Sequence, residues 1–344
     1  MTDSQIKISL CIPTYNRGLH LANCLQSINT AARDISDVVE VCISDNGSTD
    51  CTQDVVSKAN MSVPTTYHRN EQNLGIPRNF LNVVEMAKGE FVWLIGDDDL
   101  LIPESLTRLL NLLEQHELVD FFYVNAFHLT TEYVLSFPQP FDTTNLPSME
   151  PFSTWSKSGE LPFFKLIDPK ISFDFLGGMF LSVFRRRHWI NHKHHLNEYA
   201  LTDSLTFSHF DNTFPHVKIF STAFKNSRAY FNASPLIVTL SGAREWAPMY
   251  PFIRSVRLIE ALRLYRDSGL PWLQYMKCRN FALGSFLPDL VRMILNPTQT
   301  GLRFVSLSKH VLSNSFYPNV YLSPLRYLAR RLYAPKQMVP THQE

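Results

Sequence analysis

Three consecutive aspartates, Asp97 to Asp99, close an apolar run, Phe91 to Gly96, that has the composition of a buried strand. Carboxylates this close repel one another, so a fold keeps them where a cation or a metal-bound diphosphate offsets their charge. The alternative is an exposed acidic turn whose charges are stabilised by the dipole of a following helix. Because a buried-looking strand leads directly into the acids, we expect a divalent-metal site and hence a metal-using enzyme.

These acids need a scaffold that brings distant parts of the chain together. Apolar runs that predict strands occur at residues 7–13, 38–44, 65–68, 90–96 and 120–127, and segments with helical spacing separate them. Such alternation favours right-handed β-α-β crossovers and a mostly parallel sheet, whose ligand crevice lies beyond the carboxyl ends of its strands. We therefore expect Asp45 and Asp97 to Asp99 to line one cleft, with residues 132–170 as a loop region near an acceptor site.

Charge is distributed unevenly along the chain. The chain has a net charge of +1. Residues 251–344 carry 13 Lys/Arg and 4 Asp/Glu, a net of +9, and residues 1–250 carry 19 Lys/Arg and 27 Asp/Glu, a net of −8. This imbalance favours contact between the tail and an anionic surface, although a solvated helical face is an equal alternative. Leu325 to Tyr333 set leucines and tyrosines against arginines at helical spacing, as peripheral membrane helices do, and packing on the body is the other interpretation.

Cysteine usage and hydropathy indicate a compartment. The five cysteines form no C-x-x-C pair, and Cys11 and Cys42 lie within strand-like runs, so we interpret them as reduced core residues. The first residues hold no apolar stretch of signal-peptide length, and no uncharged, proline-free apolar run approaches the roughly 18 residues of a membrane span. The expected location is the cytoplasm, with the inner face of the plasma membrane as a second option. No nucleic-acid partner is expected.

Four ordered motifs resemble the family 2 glycosyltransferases with the GT-A fold. They are Pro13-Thr14-Tyr15-Asn16-Arg17, Ser44-Asp45-Asn46-Gly47-Ser48-Thr49-Asp50, Asn73-Leu74-Gly75 followed by Arg78-Asn79, and Gly96-Asp97-Asp98-Asp99. The block from Gly177 to Trp189 is similar to the acceptor-side segment of that family, and Thr213 to Val217 is similar to the branch of bacterial O-antigen abequosyltransferases. The resemblance covers about residues 5–245.

This resemblance implies an α/β fold of GT-A type, with a Rossmann-like, mostly parallel sheet flanked by helices and a helical C-terminal portion. It implies a GT-A domain over residues 1–250, with a donor half at about 5–128 and an acceptor half at about 129–250. Residues 251–344 are then a helical, basic C-terminal region.

It further implies a site for a nucleotide-sugar donor. The residues that match the family's donor-binding motifs are Pro13, Thr14, Tyr15, Arg17, Asp45, Asn46, Arg78, Asp97, Asp98 and Arg244. Tyr15 would stack on the base, and Asp45 would accept a hydrogen bond from either uracil or cytosine. Asp99 and Asp97 would hold Mg²⁺ or Mn²⁺, which accept hard oxygen ligands and share them with phosphate.

Each of these roles has a structural alternative. Tyr15 could be a core aromatic, and Asp45 could stabilise an Asx turn. Arg78 could form a surface salt bridge, and Arg244 could pair with Glu245. Trp246 is expected to stack on an acceptor sugar, and a core role is equally open.

The catalytic base departs from the family pattern. Inverting members typically carry a Glu-Asp pair where this chain reads Phe214-Pro215-His216-Val217, so a histidine replaces the expected acid, and Asp203 and Asp211 lie upstream. The candidates for the base are His216, Asp211 and Asp203, and an unperturbed histidine pKa of about 6.5 suits that work. A structural histidine is the alternative, and a retaining transfer would need no such base.

The expected function is therefore transfer of a sugar from a CDP- or UDP-sugar to a glycan hydroxyl, with an undecaprenyl-linked O-antigen or capsule repeat unit as one acceptor. A nucleotidyltransferase acting on sugar phosphates is a rival, but it should carry a glycine-rich, basic loop after the first strand, which Pro13 to Arg17 is not. A non-catalytic sugar- or partner-binding module of the same fold is a second rival, against which retention of all three acids speaks.

Overall fold

The protein is represented by a computed structural model that describes residues 6–33, 35–242 and 244–333, without the side chains of Arg330, Arg331 and Tyr333. Within these residues nine strands form one sheet: β1 Ile8–Thr14, β2 Val39–Asp45, β3 Thr65–Arg69, β4 Phe91–Leu94, β5 Leu100–Leu101, β6 Phe121–Thr130, β7 Gly159–Pro162, β8 Ser182–Arg185 and β9 Arg228–Ser241.

The helices alternate with these strands at first and then dominate the C-terminal region. They are α1 Gly18–Ala31, α2 Thr52–Lys58, α3 Ile76–Met86, α4 Ser105–Gln115, α5 Thr131–Leu135, α6 Arg186–His192, α7 Glu198–Thr202, α8 Pro215–Ala223, α9 Tyr250–Phe252, α10 Leu258–Asp267, α11 Trp272–Ala282, α12 Phe286–Leu295 and α13 Pro318–Tyr333.

The first four long strands form the parallel block that the sequence predicts. Their order is β3-β2-β1-β4, and all three neighbouring pairs are parallel. β1, β2 and β4 are buried along their whole length, because helices cover both faces of such a sheet and leave no solvated side. Each predicted strand in this block agrees with the structure to within about two residues.

The other half of the sheet is mixed. β8 lies between β4 and β6 and is antiparallel to both, while β6 and β9 are parallel. β5 and β7 pair antiparallel with β9. The α/β class with helical flanks and a helical C-terminal region is confirmed. Uninterrupted parallel pairing ends at β4, since β8 follows a long irregular segment rather than a helical crossover and pairs antiparallel with β4.

The chain forms two compact units. One runs to Glu245 and takes in Leu264–Leu270, and the other comprises Trp246–Arg263 and the chain from Pro271. The second unit has its own apolar cluster, formed by Ile259 at the start of α10 together with Leu283, Phe286, Tyr317 and Val320 from the later helices and the segments between them. No described helix is both long and apolar enough to cross a membrane. The predicted division at residue 250 into a GT-A domain and a C-terminal region stays a prediction.

Candidate active site

The register of the parallel strands brings the acid motifs to one edge. Thr14 at the end of β1 pairs with Asp45 at the end of β2. Cys11 pairs with Leu94, so the residues after β4 continue beside the end of β1. The Thr14 hydroxyl accordingly donates a hydrogen bond of 2.8 Å to Asp97 Oδ2. The crevice expected at the carboxyl ends of the strands therefore holds both acid motifs.

Arg17 neutralises two of the three consecutive acids. Its Nε lies 2.8 Å from Asp97 Oδ1, and its Nη2 lies 2.8 Å from Asp98 Oδ2. Burial raises the pKa of Asp97 to about 7, against the opposing charge of Arg17. Asp97 thus has both oxygens engaged, one by Thr14 and one by Arg17.

Asp99 has the opposite arrangement. The Gly96 backbone N–H donates to its Oδ2 over 2.7 Å, whereas no described residue bonds its buried Oδ1 with good geometry. The Thr239 hydroxyl lies close enough to lower the pKa of this carboxyl. Burial, followed by the charge of Asp98, raises the pKa of Asp99 to about 7. A side chain at Gly96 would come within 2.8 Å of Asp98 Oδ1, so glycine permits this close fold of the acids.

The carboxylate oxygens at this edge suit a divalent ion that also binds phosphate. A buried, unpaired carboxylate oxygen such as Asp99 Oδ1 costs free energy unless a cation or donor reaches it. The described residues contain no group of three His, Cys, Asp or Glu side chains suited to a metal. An ion held here would therefore take most of its ligands from phosphate and water, as Mg²⁺ commonly does.

Asp45 is fully buried at the end of β2. Its Oδ1 accepts from the Ser48 backbone N–H over 2.8 Å, and its Oδ2 accepts from the Tyr67 hydroxyl over 2.6 Å. Arg69 Nε lies 3.8 Å from the same Oδ2. Burial and the bond to Asp45 raise the pKa of Tyr67 strongly, so this phenol stays a donor. The Asx-turn contact is present, and the predicted contact with a base stays a prediction.

A network of buried amides holds the loop after β3 against the end of β2. Asn46 Oδ1 accepts from Asn70 Nδ2 at 3.2 Å and from the Leu74 N–H at 2.9 Å. Asn79 Nδ2 donates to the carbonyls of Ser44 and Thr14 at 2.9 and 3.3 Å. These bonds fix the wall beside Asp45 without any formal charge.

The other residues predicted to bind the nucleotide sugar differ in their exposure and in their ion pairs. Tyr15 is 40% exposed, as a ring that stacks on a ligand would be, whereas Pro13 is a buried strand residue. Arg78 forms an ion pair with Glu198, the surface alternative that its position allowed. Arg244 follows the end of β9, and its charge lowers the pKa of Asp99, so it lies within electrostatic reach of the acids.

His216 lies in the first turn of α8 and is 2% exposed. Its Nε2 is 3.2 Å from the Leu176 carbonyl oxygen and 3.1 Å from that of Gly177, so Nε2 carries the proton and donates. Burial lowers the pKa of His216 to about 4, which keeps the ring neutral. A base role for His216 stays a prediction that this geometry does not favour.

The loop that His216 holds is conformationally strained. Phe175 and Leu176 have φ angles of 50° and 67°, in the left-handed region that bulky residues avoid. Asp174 accepts from the Ser172 hydroxyl over 2.6 Å and from the Leu176 N–H over 3.2 Å. This loop leads to β8, whose first residue lies at the same sheet edge as the acids because β8 is antiparallel to β4.

The two acidic base candidates differ in their surroundings. Asp211 is buried and accepts from the Asn197 N–H at 2.7 Å and from Lys218 Nζ at 2.6 Å. Asp203 has 18% of its side chain exposed, and its Oδ2 lies 3.3 Å from His209 Nε2. Hydrogen bonds from Ser208 and the Leu205 backbone, with the nearby His209, lower the pKa of Asp203, so this carboxylate is ionised at neutral pH.

Sequence reasoning missed two contributors to this site and the partner of Asp203. Tyr67 and Asn70 lie in and after β3, whose sequence shows only a strand, and His209 faces Asp203 from a loop without periodicity. The neighbouring asparagines of the third motif were the available signal for a polar network. Trp246 begins the second unit and stacks on Tyr250 with ring centroids 6.2 Å apart and planes 8° apart, so its predicted contact with an acceptor stays a prediction.

Sequence comparison identifies relatives of this chain. The family described as Glycosyl transferase family 2 matches residues 9–181. Abequosyltransferase RfbV of Salmonella typhimurium is 45% identical over 109 residues, which are 31% of this chain and 32% of that protein. GalNAc(5)-diNAcBac-PP-undecaprenol beta-1,3-glucosyltransferase of Campylobacter jejuni is 33% identical over 106 residues, or 30% and 33% of the two chains. The match thus spans about a third of the length of these relatives.

Structure comparison gives the same fold. TarS residues 1–349 of S. aureus in complex with UDP superpose with a TM-score of 0.54 at 16% identity, over 82% of this chain and 72% of that one. The mannosyltransferase PcManGT from Pyrobaculum calidifontis, in complex with GDP-Man and Mn²⁺, superposes with a TM-score of 0.53 at 13% identity, over 98% and 90%. Identities this low support the shared architecture alone.

Proposed function

Because this chain belongs to glycosyl transferase family 2, we propose that it transfers a sugar from a nucleoside diphosphate to a hydroxyl of a glycan acceptor. The observation that carries this proposal is the convergence of Thr14, Asp45 and Asp97 to Asp99 at one sheet edge, with a buried and unpaired oxygen on Asp99. A diphosphate leaving group carries negative charge, and a buried carboxylate beside it can hold the cation that offsets this charge. UDP in the TarS complex and GDP-Man in the PcManGT complex support this class of donor.

We assign the donor contacts to the residues at that edge. The exposed ring of Tyr15 would stack on the base. Asp45 would contact the base edge only after the Tyr67 hydroxyl released its Oδ2. Arg244 would balance the diphosphate charge, because it already acts electrostatically on Asp99. Arg78 would contribute only after leaving its surface partner Glu198.

Mg²⁺ or Mn²⁺ is the proposed cofactor, and Asp99 is the residue that would hold it. The ion supplies charge stabilisation to the departing diphosphate. Asp97 would join as a ligand only if Arg17 released it, since Thr14 and Arg17 occupy its two oxygens. Arg17 therefore keeps Asp97 and Asp98 neutralised until the donor is present.

The proposed general base is Asp203 rather than His216 or Asp211. Asp203 is partly exposed and ionised, whereas the His216 ring is buried and Asp211 forms an ion pair with Lys218. His209 lies against Asp203 and could pass the acceptor proton onward. This assignment applies to an inverting transfer; a retaining transfer needs no base.

We propose a lipid-linked bacterial glycan as the acceptor and the inner face of the plasma membrane as the place of work. The undecaprenol in the name of the Campylobacter relative supports a lipid-linked acceptor. The net charge of +9 in residues 251–344 and the exposed Leu325, Leu328 and Leu332 support contact with an anionic bilayer.

A thermal-shift panel tests the donor assignment. UDP, CDP, GDP and dTDP are each added with and without Mn²⁺, and a nucleotide that binds the folded state more tightly raises the melting temperature further. We expect one pyrimidine nucleotide to stabilise the wild type in the presence of Mn²⁺. Stabilisation without Mn²⁺ would remove the metal from the proposal, and no shift with any nucleotide would refute donor binding. Transfer of a nucleotidyl group from a nucleoside triphosphate to a sugar phosphate, with release of pyrophosphate, would favour the nucleotidyltransferase alternative.

A further inference from the structure

The second compact unit contains a cavity of about 430 Å³. All of its lining residues belong to this unit, and they include Tyr250, Arg254, Arg292, Asn296 and Gln299. Ligand pockets in proteins occupy roughly 300 to 1,000 Å³. The cavity is therefore large enough for a small ligand or for the polar part of a larger one.

Two arginines give this cavity a positive, donor-rich surface. Arg254 is fixed by a bidentate ion pair with the buried Asp289, through Nε at 3.0 Å and Nη2 at 2.6 Å. That pair uses two of the five guanidinium donors, so three remain for a ligand. Asp289 offsets one of the two positive charges, and the charge of Arg292 remains. Asn296 and Gln299 add amide donors, so the chemistry suits an anionic group.

The helix that supplies Arg292 also has exposed apolar side chains. Val291, Ile294 and Leu295 on α12 are exposed by 53%, 57% and 72%. Leu295 and Asn296 follow Arg292 by three and four residues, so they share a helix face with it. An apolar surface next to an anion site suits an amphipathic ligand.

An aromatic pair adds a third recognition element. Tyr250 lines the cavity, and the Trp246 ring is stacked on it at 8° between planes. Flat aromatic surfaces of this kind suit the apolar face of a sugar ring or an isoprenoid chain.

From these contacts we infer that the cavity binds the diphosphate group of a polyprenyl-linked acceptor, with its chain along the apolar side of α12. This inference rests on the proposed function, which it deepens by giving the acceptor a binding site. Arg254 and Arg292 would grip the phosphate oxygens, since guanidinium and phosphate match in geometry and charge.

Titration calorimetry on the full chain tests this inference with farnesyl diphosphate below its micelle concentration. Arg292→Gln should weaken binding by roughly tenfold to a hundredfold, as expected for a lost charged hydrogen bond. The matched control is Arg303→Gln, which removes the same charge from the same unit at a residue outside the cavity. Control affinity should equal that of the wild type. Equal affinities of both variants, or no binding to the wild type, would refute the site.

Inorganic pyrophosphate distinguishes a site for free phosphate from a site for a lipid-linked phosphate. Pyrophosphate should bind more weakly than farnesyl diphosphate, and Leu295→Ser should reduce that difference. If pyrophosphate binds equally well, the cavity is a site for free phosphate and the lipid assignment fails. Since the nucleotide panel reports on the other unit, a positive panel without farnesyl diphosphate binding overturns this inference alone. Binding lost in Arg292→Gln with a negative panel overturns the donor proposal alone.

Discussion

Replacement of Asp99 by asparagine should stabilise the protein while removing its metal-dependent donor binding. The Asp99 carboxyl is buried, and its pKa is raised from 3.8 to about 7. A raised pKa means that the folded state favours the protonated acid. The free energy of unfolding is therefore highest below about pH 4 and falls as the pH rises through about 7. At pH 8 the ionised acid then costs on the order of 4 kcal/mol, and at pH 5 on the order of 2 kcal/mol.

Asparagine avoids this cost because it is neutral at both pH values and can still accept the bond from the Gly96 N–H. Melting curves of the wild type and Asp99→Asn at pH 5 and pH 8, without nucleotide or metal, measure the effect. We expect the variant to melt higher by roughly 6 °C or more at pH 8, and by about half as much at pH 5. In the Mn²⁺ and nucleotide panel the same variant should show no metal-dependent shift.

The control is Asp54→Asn, which makes the same chemical change at a side chain that is 73% exposed and 3.9 Å from Lys58. Its melting temperature should stay close to that of the wild type, since exposed pairs of this kind contribute little. A lower melting temperature of Asp99→Asn at pH 8, or an equal gain at both pH values, would show that the acid is not buried in its charged form.

Substitutions at Arg17, at His216 and at the exposed leucines of α13 test the other assignments. Arg17→Gln removes the cation beside Asp97, so it should lower the melting temperature more at pH 8 than at pH 5, and an equal loss at both would contradict the ion-pair role. His216→Ala should lower kcat at least tenfold, and His216→Asn should restore much of it, because an amide can still donate to the loop carbonyls; a true base would not be rescued. Leu325→Ser combined with Leu328→Ser should reduce co-sedimentation with anionic vesicles, and unchanged binding would remove these leucines from the membrane proposal.

The sequence predicted the parts of this fold that depend on local patterns. Apolar runs identified the parallel strands, and the position of Asp45 and Asp97 after two of them placed both at one edge. β8 could not be predicted, because its four residues follow an irregular segment and its antiparallel place between β4 and β6 depends on long-range packing.

The side-chain pairings at the site were equally beyond the sequence. A motif shows that Arg17 and Asp97 are present, but not that they pair with each other before any ligand arrives. His216 has the residue type of a base, yet its burial against the Leu176 carbonyl depends on how α8 packs. Contacts between residues far apart in sequence follow from the three-dimensional fold.

The amide network of Asn46, Asn70 and Asn79 has a consequence for how this site responds to its surroundings. Amides do not titrate over the physiological range, and neutral hydrogen bonds are little screened by salt. One wall of the crevice thus keeps its form across changes in pH and ionic strength, while the opposite wall, built from Asp97 and Asp99, changes its charge near neutrality. Acidity should alter how strongly a ligand is held here without altering the contour against which it fits.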